Sequence, residues 1–241
     1  MNEVGDFGGA FPTSWLVIFF VGSVVAYLVN RRHSGKRLDE FERECRSRGW
    51  TYLASEDKLA DRWLGTPFGH GGDRSATSVV LGKAWGRRFT AFDYSYETST
   101  GTGTDRQSTT HWFAICVIGL PRALPGLEVA PEGAFSWFTE AIGVTTDVDL
   151  ESEDFNRAFR VSAGNKKFAS DVLTPRTMEY LLVATPRAWR IEGNELVSWR
   201  SGTVEPDDVV TTVELLDGVV KAIPSFVWKD YALGPGYDPE P

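Results

Sequence analysis

No charged residue occurs between Asp6 and Arg31, and that gap constrains the chain more than any other feature. Its core, Trp15 to Val29, is almost wholly apolar. A bilayer core about 30 Å thick needs roughly 20 helical residues. Residues 11–30 supply that length when Pro12, Thr13 and Ser14 are counted at the interface, so the run reads as one membrane-spanning helix. Pro12 suits a first helical turn, where its missing N–H has no intrahelical partner to lose. Trp15 and Tyr27 lie near the two ends, where amphipathic rings favour the headgroup layer, with Phe19 and Phe20 in the lipid-facing middle.

Two rival readings fit less well. A cleaved signal peptide has a positive n-region and a small-x-small cleavage site. Here Glu3 and Asp6 precede the run, and Tyr27-Leu-Val-Asn-Arg-Arg32 follows it. A soluble core helix would need a large body around it to be apolar on every face. Arg31, Arg32, Lys36 and Arg37 come directly after the run, and no Lys or Arg precedes it. The positive-inside rule therefore puts the N-terminus outside and the large C-terminal part in the cytoplasm, a single-pass topology in the cell membrane. The same four cations offer a contact to anionic lipid. Gly22 and Ala26 form a small-xxx-small pair of the kind that packs helices.

The expected division is a short outward segment 1–10, the span 11–30, a basic juxtamembrane segment 31–37, a cytoplasmic domain 38–229 and a disordered tail 230–241. The net charge of −8 and pI near 5.0 describe an acidic chain. Nucleic-acid binding usually shows a basic face, so it is not expected. With 42% apolar and 13% aromatic residues the domain has a folding composition. Two cysteines, Cys45 and Cys116, and histidines at 33, 70 and 111 give no zinc-ligand spacing. No metal or cofactor is expected.

Along the domain, Leu38, Phe41 and Cys45 mark a helix ended by Gly49. Ser55 is placed to cap a second helix over 56–64. Residues 77–85 and 88–97 read as strands joined at Gly86-Arg87. In the second, Thr90, Phe92, Tyr94 and Tyr96 alternate with Ala91, Asp93, Ser95 and Glu97, the pattern of a half-buried antiparallel strand. Residues 111–120 are apolar on both faces and belong in the middle of the sheet. Shorter strands are expected at 127–130 and 159–162, with helices at 134–142, 166–172 and 175–183. Residues 189–192 and 195–199 read as a hairpin across Gly193-Asn194. Val209, Val213, Leu216, Val220 and Ile223 draw one stripe on a helix over 206–223. Hairpin-joined strands with helices at the interruptions predict an α+β fold, an antiparallel-sheet domain with flanking helices behind the N-terminal transmembrane helix. A pleckstrin-homology-like barrel with a C-terminal helix is the alternative.

Chemistry-bearing patterns are weak. Gly101-Thr-Gly103 lacks the following helix a phosphate loop needs. Asp147, Asp149, Glu151 and Glu153 alternate and would share one face of an extended segment, as a solvated edge or a calcium contact. Asp93 and Glu97 share a strand face, and His111 is a lone base with no nucleophile elbow. Trp63, Trp112, Trp137, Trp189 and Trp199 read as core.

Glu153-Asp154-Phe155-Asn156, Phe159-Arg160-Val161, Leu173-Thr174-Pro175 and the upstream Phe92-Asp93-Tyr94 carry a resemblance. The chain resembles a family of uncharacterised bacterial single-pass membrane proteins whose soluble part is a domain of unknown function. Its "DFN-x-x-F-x-V" segment precedes an "LLTP" helix start, which here reads Val172-Leu-Thr-Pro175. The resemblance covers roughly residues 79–199 and implies a membrane-tethered domain with no catalytic residues to carry over. The expected function is a non-enzymatic binding or adaptor domain at the inner membrane face, with the bilayer and a protein as partners. A lipid-headgroup domain and a hydrolase are the alternatives.

Overall fold

The computed structural model describes residues 38–101, 106–132 and 146–234. The expected span 11–30, the juxtamembrane segment 31–37, the helix at 134–142 with Trp137, and residues 235–241 lie outside the described residues. Among the described residues no helix is long and apolar enough to cross a membrane. Chain contacts divide the molecule into Met1–Glu44 and Cys45–Pro241. Of the first unit, residues 38–44 are described; they begin helix α1 (residues 38–47). Gly49 ends that helix at φ +74°, as its position after the last charged turn predicts.

The second unit is built on one antiparallel sheet. Its strands are β1 (Thr51–Ser55), β2 (Gly72–Ala84), β3 (Arg87–Thr100), β4 (Gln107–Pro131), β5 (Thr146–Asp147), β6 (Phe159–Ala163) and β7 (Ala188–Ser201). The order is β1-β2-β3-β4-β6-β5, with β7 on the other side of β4. The antiparallel sheet with flanking helices is thus the fold. The path is open at β1 and β5, so the described strands do not form the barrel kept as the alternative.

Strand β4 is the spine. Phe113 to Ile118 pair with β3 on one side and β7 on the other; Leu127 to Val129 pair with β6 and again β7. The register breaks between Gly119 and Leu127. The two short strands expected at 111–120 and 127–130 are therefore one strand, bent where Gly119, Pro121, Pro125 and Gly126 interrupt the ladder. The hairpin expected at 189–199 does not form either. Gly193 and Asn194 lie within β7, with Gly193 opposite Leu124 at the same break. A continuous partner on β4 offers more ladder bonds than a short hairpin closing on itself.

The pattern on β3 also turns out differently. Ala91 to Tyr96 are buried on both faces. Phe92, Tyr94 and Tyr96 face an aromatic layer supplied by residues 59–68. Trp63 stacks on Phe92 at 5.6 Å and Phe68 meets Tyr94 at 4.7 Å. The helix expected over 56–64 is only a 3-10 turn, Asp57–Leu59, capped by Glu56 rather than Ser55. A regular helix presents one stripe, whereas here Leu59, Ala60, Trp63 and Phe68 all reach the sheet.

The opposite face is covered by helices. These are α2 (Glu153–Ala158), α3 (Lys166–Val172), α4 (Pro175–Val183), α5 (Pro206–Ala222) and a short α6 (Val227–Asp230). The stripe on α5 is buried as expected, from Val209 to Ile223. Asn165 caps α3 and Thr174 caps α4. Tyr231, read from sequence as part of the disordered tail 230–241, is instead fixed to α3. Its hydroxyl donates to Asp171 Oδ2 at 2.6 Å, and its ring lies against Phe168.

Candidate functional site

The anchor residues Trp15, Phe19, Phe20 and Tyr27, and the cations Arg31, Arg32, Lys36 and Arg37, lie outside the described residues. The remaining sequence candidates are placed, and they do not converge. His111 and Tyr96 are directly paired on β4 and β3 and stack at 4.8 Å; His111 Nε2 is 2.9 Å from Thr98 Oγ1. Asp93 and Glu97 lie on the other face of the same strands. Glu97 accepts bonds from Ser108 and Thr110, and Asp93 accepts one from the Val204 N–H at 2.6 Å. A base and its carboxylates on opposite faces of a sheet cannot serve one substrate atom.

The acidic run does not line up either. The extended segment ends after β5, Val148 is buried, and Glu153 already belongs to α2. Asn156 bonds both the N–H and the C=O of Leu150, which turns the chain there. Among the described residues no acidic, histidine or cysteine group could hold a metal. Trp63, Trp189 and Trp199 are core, but Trp112 is 43% exposed and corrects the expectation for that residue.

Two polar clusters, one buried and one half-buried, went unseen in the sequence. The first lies on the aromatic face. Arg190, 3% exposed, donates from Nε to Glu192 and from Nη1 to the Thr66 carbonyl at 2.7 Å. Glu128 sits opposite it on β4, with 4.0 Å between charged atoms. One guanidinium thus faces a buried carboxylate, Glu128, and a half-buried one, Glu192. Burial pushes the Glu128 carboxyl up to about 7, with Arg190 opposing and Glu192 adding to the rise. The guanidinium also lies over Phe68 and Trp199, at 5.6 and 5.2 Å.

The second cluster lies under α5. Asp208 is bridged by Arg187 and Arg200. Beside it is a cavity of about 10 Å³, lined by Cys116, Ser198, Arg187 and Thr212, which is the size of one water. Burial pushes the Cys116 thiol up to about 12, so it is an inert core thiol, as its apolar neighbours predict. Asp217, further along α5, is held between Arg87 and Lys221.

The larger hollows are open. One, about 590 Å³, lies at the outer end of β3 and β4 among Gly71, Asp73, Glu97, Ser99 and Arg106. Another, about 240 Å³, lies between α2 and α4 against Met178 and Leu182. The motifs that carried the family resemblance are structural. Phe155 is fully buried and stacks on Phe159 at 5.0 Å, Val161 is in the core, and Thr174 accepts from the Thr177 N–H.

No family model and no curated protein matches the chain. The fold is similar to that in the crystal structure of the mycobacterial trehalose monomycolate transport factor A, TtfA. The TM-score is 0.57 at 16% identity, over 78% of this chain and 96% of that one. At that identity the likeness is one of fold.

Proposed function

We propose that this protein is a non-catalytic domain tethered to a membrane by residues 11–30, which binds a partner protein at the cytoplasmic face. The observation that carries the reading is how the buried ionisable groups are used. Arg190 joins β7 to the carbonyl of Thr66; Asp93 joins β3 to the segment before α5; Asp217 joins α5 to β3 through Arg87. Each ties two pieces of the fold together, which is a structural use of charge. The run 11–30 and the cations Arg31, Arg32, Lys36 and Arg37 support the tether and its orientation. The likeness to a protein described as a transport factor supports a non-enzymatic role. The sequence motifs support kinship with bacterial single-pass membrane proteins.

Affinity capture in mild detergent, with the full chain and with a chain lacking residues 1–37, tests this reading. The expected result is a protein recovered with the full chain and lost or reduced without the tether. Recovery of no such protein under either condition overturns it.

A further inference from the structure

We propose that the β2–β3 turn is a membrane-contact site that seats the domain on anionic lipid. Trp85 and Gly86 are the two central residues of that turn, since Ala84 pairs with Arg87. Their φ angles are +51° and +79°, which makes it the type I′ class that asks for Asn-Gly. A bulky residue at positive φ is an outlier, and Asn would adopt it at little cost. The fold therefore does not ask for Trp85, and the residue is 54% exposed rather than packed. Strain kept at an exposed aromatic is the mark of a contact made elsewhere.

The turn is also where cations gather in an acidic chain. Lys83 and Arg88 face each other across the two strands and both are exposed. Arg87, on the other face of the hairpin, is joined to Lys221 through Asp217, with which both cations pair. An exposed tryptophan flanked by Lys83 and Arg88 matches the headgroup layer of an anionic leaflet: the indole sits at the boundary of headgroups and acyl chains, and the two cations meet the phosphates.

A tether at residues 11–30 names this occupant over another. Strand β1 pairs Thr51 with Leu81, so the chain coming from its N-terminal side joins the sheet four residues from Trp85. Trp50 meets Phe89 edge-on at 5.0 Å, and Gly82 is the residue whose lack of a side chain leaves room for it. If residues 11–30 cross the membrane, they hold the domain within reach of a lipid leaflet. The proposal rests on that reading of residues 11–30.

The test uses the full chain in lipid nanodiscs, either neutral phosphatidylcholine or the same lipid with a third phosphatidylglycerol. Amide hydrogen exchange is read at residues 81–90. Anionic discs are expected to slow exchange at 84–88 by about tenfold relative to neutral discs, an effect that fades in about 0.5 M salt. Trp85→Asn is expected to lose that protection while melting no lower than the parent, and Lys83→Glu with Arg88→Glu is expected to lose it too. Equal exchange in the two lipids, protection unchanged by Trp85→Asn, or protection that appears only with a protein partner present overturns the proposal. Alkaline extraction of the full chain from membranes is read in parallel. Release of the chain overturns the tether itself; retention with no lipid-dependent protection overturns the turn contact alone.

Discussion

Arg190 and its two carboxylates show how a single residue can set the pH response of the whole domain. An unfolded Glu128 titrates near 4.5 and the folded one near 7, so between those values the folded state holds the extra proton. Stability contributed by this group is therefore full below about pH 4.5, falls as pH rises to about 7, and is level above. The shift corresponds to roughly 3 kcal/mol at most. Glu128→Gln is expected to match the parent at pH 5 and exceed it at pH 8, read as urea midpoints. A parent that instead gains on the variant between those pH values would sink this account. Trp85 makes a second prediction at this scale. Replacing it by Asn relieves a left-handed backbone at a bulky residue, so thermal unfolding is expected to show a gain of about 1 kcal/mol. A loss of that size would mean the ring packs against something the fold needs.

Among the elements, α4 and α5 meet with no room to spare. A Cβ on Gly218 would fall on the Tyr180 hydroxyl and ring, and that hydroxyl donates to the carbonyls of Glu214 and Leu215. In an open helix Gly→Ala gains about 1 kcal/mol. Here overpacking wins, and Gly218→Ala is expected to cost about 1–2 kcal/mol in chemical denaturation. A stabilised variant would show that α4 can shift freely. Strand β3 carries the complementary lesson. Its alternation of aromatics with Ala91, Asp93 and Ser95 reads as one wet face, yet both faces are buried. The small and polar face is closed by α5, and Asp93 is acceptable there because the Val204 N–H meets it. Period two reveals the strand but not what lies beyond each face.

Across the described residues, β4 holds the sheet together because it alone of the described strands is paired along both edges through two successive sets of neighbours. Amides at 113–118 are therefore expected to exchange most slowly, and those of β1, paired on one edge and largely exposed, among the fastest of the strands. Faster exchange in 113–118 than in β1 would contradict this hierarchy. The open hollows and the polar clusters belong to this scale too, since each gathers residues far apart in the chain, as Thr66, Glu128 and Arg190 are.

Some of this could be read directly from the residues, because its cause is local. The stripe on α5, the start of α4 at Thr174-Pro175, the end of α1 at Gly49 and the apolar middle of β4 all follow from neighbours within a few positions. The uncharged run 11–30 and the cations after it are local in the same sense, and they determine an expected location. What depended on distant partners was decided only by the tertiary structure. The pairing of β7 with β4 overrode a plausible Gly193-Asn194 hairpin, because a long ladder on a central strand outweighs a short one. The aromatic layer over β3 drew residues 60–64 out of the expected helix. The ion cluster at Arg190 exists only where β4, β7 and the Thr66 segment meet. Even the β2–β3 turn, legible as a turn, moved by one residue. That shift put Trp85 at a strained and exposed apex. Side-chain spacing sets which residues can share a face; long-range packing sets what that face meets.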